Sequence, residues 1–171
     1  MDQVDIAHGF KSVRFRYFNA GGSDFMSGLG EIHDPETHLI PLIIEGVLGK
    51  RQPVNIFGTD FPTPDGSAIR DYIHVKDLAT AHISGLKYLL DGGGTNFFNL
   101  GTGVGNSVLD VVKTIEHHMQ KPSNYIIAER RVGDPSILVA NEEKALQILG
   151  WKPRHALDDI ISDAINWHLK L

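Results

Sequence analysis

The chain has 171 residues, and its 16 Lys+Arg against 21 Asp+Glu give a formal net charge of −5. This length suits one compact unit or a piece of a larger one, and the acidic balance argues against a broad nucleic-acid footprint. The absence of cysteine excludes a disulfide scaffold, a thiolate metal site and a cysteine nucleophile. The longest apolar run, 39–44, is too short to cross a bilayer, and the first residues lack the basic start of a signal peptide. We therefore expect a cytoplasmic chain with neither a membrane nor a nucleic-acid partner.

The first half of the chain predicts two strands and one helix. In order, the predicted elements are a strand over 13–18, a loop over 23–36, a helix over 39–48, a strand over 54–58 and a long turn over 59–67. The run Asn19–Gly22 is expected to stop the first strand. Pro41 is tolerated only in the first turn of the helix, and Gly49 is placed to end it.

The second half continues the alternation of strands and helices. Its predicted elements are strands over 71–75, 96–100 and 125–128 and helices over 76–90, 108–119, 142–149 and 157–169. In the helix over 76–90, Leu78, His82, Leu86 and Leu89 share the predicted apolar face. Short loops between strands and helices predict an α/β fold with parallel pairing. Because the strands are few, the pattern indicates part of a sheet rather than a finished one.

A glycine-rich segment, Gly101–Gly105, follows a predicted strand and precedes a predicted helix. That context resembles a dinucleotide-binding loop, in which glycines let the backbone approach a phosphate at a helix N-terminus. The spacing fails, because the third glycine of such a loop should stand at position 106, which is Asn106. We interpret the glycines as serving the path of a strand-to-helix turn.

Two polar or aromatic positions follow or lie on predicted strands. Asn19 stands at the carboxyl end of the first strand, where ligands gather in open α/β sheets, although an asparagine that merely starts a turn fits as well. Phe57, in the segment beginning at Asn55, offers a flat ring beside Gly58 for a planar base, but a core phenylalanine is the simpler interpretation.

Two arginine-bearing segments complete the candidate site. Arg70 follows a Pro/Gly-rich turn and is placed to bind a diphosphate bidentately, or else to pair with a nearby aspartate. The segment around Arg131 and Asp134 forms a tight loop that can present cations to an anion, or can simply add solubility. Taken singly, none of these segments decides the function.

The nine histidines predict no metal site. His117 and His118 are adjacent and diverge around a helix, whereas His33 and His38 lie five apart in or near a loop. No His-x-x-x-His pair with a nearby acid occurs, and no Gly-x-Ser-x-Gly nucleophile turn occurs either.

Taken together and in order, these segments resemble one family, the UDP-glucose 4-epimerases of the extended short-chain dehydrogenase/reductase superfamily. The matching stretches are RYFNAGG from Arg16, HDPETHLIP from His33, IFGTDFPTPDG from Ile56, RDYIHVKDLATAH from Arg70, FNLGTGVGNSVLDVV from Phe98, RRVGDP from Arg130 and NEEKALQILGWKP from Asn141. The resemblance covers about 6–169. RDYIHV and FNLGTG are shared with related sugar-nucleotide enzymes, whereas HDPETHLIP with IFGTDFPTPDG is more particular to the epimerases.

The resemblance implies roles for most of the candidate residues. The residues that it places on a UDP-sugar are Asn19, His38, Leu39, Asn55, Phe57, Arg70, Arg131, Asp134 and Leu138. Among them, Arg70 and Arg131 would hold the diphosphate, Asp134 the ribose hydroxyls and Phe57 the uracil, with backbone groups from Asn55. The size of Leu138 would bear on tolerance of N-acetylated sugars.

The resemblance also implies NAD as the cofactor of the complete enzyme. Tyr17 and Phe18 lie where the family brings the nicotinamide close. The family's NAD-binding Gly-x-x-Gly-x-x-Gly loop is absent from this sequence, and so are its Ser/Thr and its Tyr-x-x-x-Lys pair. Tyr72 and Lys76 have the right spacing, but on a predicted strand they would lie ~13 Å apart. No catalytic residue is therefore predicted.

The sequence is thus similar to the C-terminal part of such an enzyme, with an N-terminal half as a possible partner. The implied fold is the last strands of a Rossmann-type sheet, from about 12–20, 70–90 and 95–101, plus a small α/β substrate-binding region from about 22–69 and 102–171. The implied activity is interconversion of UDP-glucose and UDP-galactose in galactose metabolism. The alternatives are a non-catalytic UDP-sugar-binding fragment or remnant, and a related NAD-dependent sugar-nucleotide dehydratase or decarboxylase.

Overall fold

The computed structural model describes residues 1–171 and contains six α-helices and eight short strands. The helices are α1 (Asp2–His8), α2 (Leu39–Val47), α3 (Val75–Leu90), α4 (Val108–Met119), α5 (Glu143–Leu149) and α6 (Leu157–His168). The strands are β1 (Val13–Tyr17), β2 (Asn19–Gly21), β3 (Val54–Phe57), β4 (Ile69–His74), β5 (Asn96–Leu100), β6 (Gly105–Ser107), β7 (Tyr125–Ala128) and β8 (Ile137–Leu138). The predicted α/β class is confirmed, whereas α1, β2, β6 and β8 were not predicted.

The chain passes from one sheet to another at Phe18. Strand β1 pairs with β5 in parallel, and the Phe18 N–H donates to the carbonyl of Leu100 at 3.1 Å, which extends that ladder by one residue. From Asn19 the backbone pairs with β4 instead, in parallel, with Asn19 opposite Tyr72. Strand β1 ends before Asn19 as predicted, but Asn19–Gly21 form a further strand, β2.

Strand β4 is the centre of a four-stranded sheet. It pairs with β2 and β8 in parallel and with β6 antiparallel. The family resemblance implies that 70–90 belongs with the strands at 12–20 and 95–101. The strand in that range instead joins β2, β6 and β8, and only its helix, α3, packs against β1. The chain's change of sheet at Phe18 is the physical reason, since it brings β2 rather than β1 beside β4.

Helix α3 approaches β1 through a glycine. Its buried positions include Leu78, Ala81 and Gly85. A Cβ on Gly85 would lie 2.6 Å from Cζ of Phe15, so the close contact between helix and strand needs the missing side chain. The buried face of α3 therefore differs from the predicted apolar face, since Leu86 of the predicted face is 58% exposed.

Two hydrophobic clusters fill the molecule, and β4 contributes to both. The larger cluster lies among α2, α4, α6 and strands β3 and β4, and it includes Tyr72. The smaller one lies among α3, α5, β4 and β5, and it includes Ile73 and Trp151. Successive side chains of a strand point to opposite faces, which explains how adjacent residues of β4 enter different clusters. No helix in the chain has both the length and the hydropathy needed to cross a lipid bilayer.

Candidate functional site

A large cavity opens beside the carboxyl end of β1 and has a volume of about 960 Å³. Five of the residues predicted from the sequence line it: Tyr17, Phe18, Asn19, His38 and Leu39. The volume is within the range of ligand-binding pockets, and apolar side chains form about half of its lining. The structure therefore gathers the residues expected to contact the sugar with those expected to contact the nicotinamide.

The polar groups of this cavity lie at the ends of strands and at the start of a helix. Asn19 begins β2, and its Nδ2 donates to the backbone carbonyl of Asp71 at 2.9 Å. His38 is the N-cap residue of α2, and the extended backbone there exposes its side chain. Tyr17 is half exposed, and its hydroxyl lies 2.6 Å from Nε2 of His82 on α3. The Tyr17 phenol is therefore held against α3 rather than free to move.

A second group of predicted residues surrounds Arg70 on β4. One Arg70 Nη2 N–H donates to Asp134 in a short ion pair, and Nη1 donates to the carbonyl of Ile69 at 2.7 Å. The Asp134 N–H donates in turn to the carbonyl of Arg131 at 3.2 Å. The backbone of Arg131 thus lies in the same turn as Asp134, the partner of Arg70, and we call these three residues the polar patch.

Arg131 connects this patch to Phe57. The Arg131 Cζ lies 4.1 Å from the centroid of the Phe57 ring, which is a cation–π contact. One face of the ring is therefore already covered by a guanidinium. The convergence follows from the pairing of β3 with β7, because Phe57 pairs with Ala128, three residues before Arg131.

The backbone of Asn55 faces an unpaired strand edge. The N–H groups of Val54 and Gly58 donate to the carbonyls of Asn124 and Ala128, so alternate residues of β3 turn toward β7. The intervening residue, Asn55, consequently directs its N–H and carbonyl to the other edge, where β3 has no partner strand. Its side chain is exposed as well.

Leu138 joins the second group through a strand that the sequence did not reveal. The two-residue β8 pairs with β4 in parallel, with Leu138 opposite Arg70 and half of the Leu138 side chain exposed. A two-residue strand has too few positions to show an alternating pattern in the sequence. The second group therefore comprises Asn55, Phe57, Arg70, Arg131, Asp134 and Leu138, none of which lines the cavity.

The two groups meet at β4. Asn19 donates to the carbonyl of Asp71, which lies directly between Arg70 of the second group and Tyr72 of the cavity lining. Residues along a strand advance by about 3.3 Å, so Arg70 and Tyr72 are separated by roughly 7 Å of backbone. A ligand that spans both groups would therefore lie along or across this strand.

The carboxylate of Asp71 is a structural centre that the sequence analysis missed. It is fully buried, and it accepts hydrogen bonds from the N–H and hydroxyl of Thr102 at 2.8 and 2.7 Å. It also accepts from the N–H groups of Gly103 at 3.0 Å and Ala140 at 3.1 Å. The only sequence signal is an aspartate within a predicted strand, next to Arg70.

The contacts of Asp71 also explain the glycine-rich segment after β5. A Cβ on Gly101 would lie 2.4 Å from the Cβ of Ala140, so no larger residue fits there. The N–H groups of Thr102 and Gly103 already donate to the Asp71 carboxylate and are not directed at a ligand. These contacts support the interpretation of the segment as a structural turn rather than a phosphate-binding loop.

Tyr72 and Lys76 do not form a catalytic pair. Tyr72 is 5% exposed, and burial raises the pKa of its hydroxyl well above the usual value. Lys76 lies beyond the end of the strand, in the first turn of α3, and its Nζ donates to Asp163 at 2.7 Å. The lysine therefore interacts with α6 rather than with the phenol.

His74 caps α3 in its neutral form. Its Nδ1 accepts the Lys76 N–H at 3.1 Å, and its Nε2 lies 3.2 Å from Asp163. The imidazole is completely buried and packs 4.4 Å, centroid to centroid, from the ring of His155. Burial and then His155 lower the pKa of His74, an effect that the Asp163 carboxylate only partly opposes.

Acidification is expected to destabilise the fold through His74. Its pKa lies below 6.5 in the folded chain, so the unfolded chain takes up the proton first, and the free energy of unfolding falls as the pH drops below about 6.5. Protonation of Nδ1 removes the acceptor for the Lys76 N–H, and a helix cap contributes about 1 kcal/mol. Urea unfolding at pH 7.5 and pH 5.5 should show a loss of about that size.

His74→Asn is the matched variant for this measurement. The asparagine oxygen can accept the same N–H but does not titrate in this range, so the loss between the two pH values should shrink. An unchanged loss in His74→Asn would mean that another group, such as the buried His168, whose pKa burial also lowers, carries the effect.

Comparison with known proteins identifies relatives of the whole chain. Residues 2–101 match the family model described as the NAD dependent epimerase/dehydratase family. A UDP-glucose 4-epimerase of Rhizobium meliloti (strain 1021) is 51% identical over 160 residues, which are 94% of this chain and 49% of that protein. The chain spans about half the length of the curated relatives it matches.

Two solved structures that resemble this chain are UDP-glucose 4-epimerases as well. A UDP-glucose 4-epimerase from Stenotrophomonas maltophila, with bound NAD and formylated UDP-arabinopyranose, is 36% identical with a TM-score of 0.93 over 99% of this chain and 51% of that one. The enzyme from Bifidobacterium longum, in complex with NAD+ and UDP, is 38% identical with a TM-score of 0.90 over 99% and 51% of the two chains. The Rossmann-like character expected of the α/β fold is thereby confirmed. The chain belongs to the NAD-dependent epimerase/dehydratase family.

Proposed function

We propose that this chain is the UDP-sugar-binding part of a UDP-glucose 4-epimerase, the isomerase that interconverts UDP-glucose and UDP-galactose in galactose metabolism. The observation that carries the proposal is a chain of contacts between separate stretches of the sequence. Arg70 pairs with Asp134, and Arg131, which lies in the same turn as Asp134, covers one face of the Phe57 ring. Two cations, one carboxylate and one aromatic ring match the parts of a uridine diphosphate.

The two arginines are proposed to hold the diphosphate. Guanidinium groups bind phosphate oxygens bidentately, and the diphosphate would compete with Asp134 for Arg70. Once released from Arg70, the Asp134 carboxylate can accept hydrogen bonds from ribose hydroxyls. Phe57 and the free backbone groups of Asn55 would then contact the uracil, through a ring face or edge that Arg131 leaves open.

The cavity is proposed to receive the sugar. Asn19, His38 and Leu39 line it beside β4, and Leu138 lies opposite Arg70 at the boundary between the two groups. In this arrangement two parts of the chain contribute to the site. One is the substrate-binding region, about 22–69 and 102–171, and the other is the Rossmann-type part, about 12–20 and 95–101 with helix α3.

We place the epimerase activity in the cytoplasm.

Tyr17 and Phe18 fit the nicotinamide end of NAD, because both line the cavity at the end of β1. When bound, NAD supplies the hydride acceptor of the reaction. This chain's own residues would orient the sugar through Asn19 and exclude water from one side of the cavity through Phe18. The remaining contacts to NAD and the base that removes the sugar proton are proposed to come from an N-terminal half.

Exposed apolar surface supports the proposal of such a half. On α3, Ile83, Leu86 and Leu90 are 55%, 58% and 76% exposed, and Phe97 of β5 is 43% exposed. Monomeric proteins seldom leave several large apolar side chains of one helix open to solvent. Strand β1 also has β5 as its only partner strand, so its second edge can pair with a further strand.

Titration calorimetry of the purified chain with UDP tests the proposed binding site. Arg70→Ala and Arg131→Ala should each weaken binding by about 1.5–3 kcal/mol, or roughly 10- to 150-fold, because each removes a charge-assisted contact. Arg130→Ala is the matched control, since Arg130 adjoins Arg131 but contacts Phe61 and Asp60 instead. Equal affinity in all three variants and the parent chain would contradict the proposed roles.

A further inference from the structure

Four potential metal-ligating side chains converge at the rim of the cavity. Glu31, His33, Glu36 and His38 lie within one eight-residue segment, and one ligand atom from each lies within 4.8 Å of those of the other three. In the sequence, the two histidines lie five residues apart, a spacing that would not place them on one face of a helix. The intervening loop brings them together, with ring centroids 4.8 Å apart.

The distances within this Glu/His cluster bracket those between the ligands of a metal ion. The Nδ1 atoms of His33 and His38 lie 2.8 and 2.5 Å from the same oxygen of Glu31. They lie 3.8 and 3.1 Å from the two oxygens of Glu36. Ligands about 2.0–2.1 Å from a tetrahedral ion lie about 3.3 Å from each other, a value within the observed range. Small rotations of the side chains therefore suffice to admit an ion.

The loop that carries the cluster is held by one hydrogen bond from α6 and by hydrogen bonds within the loop itself. The indole N–H of Trp167 on α6 donates to the carbonyl of Glu31 at 2.8 Å. One carboxylate oxygen of Glu36 accepts the N–H groups of Thr37 and His38 at 2.7 and 2.8 Å, which leaves the other oxygen available. Such secondary hydrogen bonds orient the ligands of metal sites.

The charge of the cluster favours a cation. Glu31 and Glu36 form ion pairs only with the two histidines, and no lysine or arginine neutralises either carboxylate. With neutral imidazoles the four side chains carry two negative charges, which a divalent ion would balance. A set of two nitrogen and two oxygen ligands suits Zn²⁺ and related first-row metals better than Mg²⁺ or Ca²⁺.

We propose that Glu31, His33, Glu36 and His38 form a binding site for a divalent transition metal of the Zn²⁺ class. The ion would join both ends of the loop 31–38 and fix His38 at the start of α2, beside the mouth of the cavity. Its role is structural, since it holds the rim in one conformation. The proposal rests on the side-chain geometry of the cluster, and it shares His38 with the residues proposed to receive the sugar.

The test uses the full chain, prepared without a histidine tag and treated with a chelator that is then removed. Titration with Zn²⁺ against a chromogenic competitor should give one equivalent bound, and Co²⁺ should give the visible absorption of a four-coordinate ion. His33→Ala and Glu31→Gln should each weaken Zn²⁺ binding by at least about tenfold. His117→Ala, which removes an exposed histidine on α4, should bind like the parent chain.

A second measurement separates loss of the site from loss of the fold. Zn²⁺ should raise the melting temperature of the parent chain and of His117→Ala but not that of His33→Ala, whose circular dichroism should match the parent's. The absence of stoichiometric binding in the parent chain, or equal binding in all variants, would overturn the proposal. The UDP titration of the Arg70→Ala and Arg131→Ala variants tests the proposed function separately, so that failure of one proposal can be distinguished from failure of the other.

Discussion

Asp71→Asn is expected to lower the free energy of unfolding by about 3 kcal/mol, because the amide replaces one oxygen of a buried carboxylate that accepts four hydrogen bonds. Each Asp71 oxygen accepts two donors, so the new NH₂ group must face either the N–H groups of Gly103 and Ala140 or the N–H of Thr102 with its hydroxyl. The lost contacts hold together β4, the turn after β5 and the segment at Ala140. Urea denaturation followed by circular dichroism measures the change.

Asp158→Asn is the matched control for this substitution. The Asp158 side chain is 72% exposed, and its partner is His118 on α4 at 2.7 Å. Exposed pairs contribute little, so the same chemical change should alter stability by less than about 1 kcal/mol. If the two variants unfold at the same urea concentration, Asp71 does not have the structural role assigned to it.

Gly30→Ala is expected to cost about 2–3 kcal/mol through overpacking against Trp167. A Cβ at this position would lie 2.1 Å from Cδ2 and 2.4 Å from Cγ of the indole. The ring cannot move aside without losing the hydrogen bond from its N–H to the carbonyl of Glu31. Urea unfolding gives the loss of stability, and the change in tryptophan emission reports the displaced indole.

Gly94→Ala provides the comparison for this prediction. No heavy atom lies within 4 Å of a Cβ built on Gly94, and the residue is exposed. Alanine there should leave stability unchanged or raise it by up to about 1 kcal/mol, since it restricts the unfolded chain. A Gly30→Ala variant as stable as Gly94→Ala would show that Trp167 repacks at no cost.

The sequence predicted the long elements of the fold and failed at the short ones. Helices α2, α3, α4 and α6 were expected within a residue or two, because their apolar spacing and end signals are strong. Strands β2, β6 and β8 have three residues or fewer, and hydrogen bonds to β4 define them rather than any pattern of their own. Such strands depend on tertiary contacts that a single sequence does not display.

The candidate site was predictable in its members but not in its arrangement. Local residue types and family resemblance together nominated Asn19, Arg70 and Arg131. Nothing local indicated that Arg70 pairs with Asp134 or that Arg131 covers Phe57, because β-sheet pairing and a loop bring these side chains together. The Glu/His cluster was missed for a similar reason, since a non-helical loop follows no fixed spacing.

The position of β4 has a thermodynamic consequence. Tyr72 and Ile73 are neighbours on one strand, yet each is embedded in a different hydrophobic cluster. Unfolding of either cluster would displace β4, which also supports the other cluster. Partial unfolding would therefore expose the apolar side chains of both clusters while releasing little conformational entropy. The two clusters are therefore expected to unfold as a single cooperative unit, so that loosening of one cluster destabilises the other.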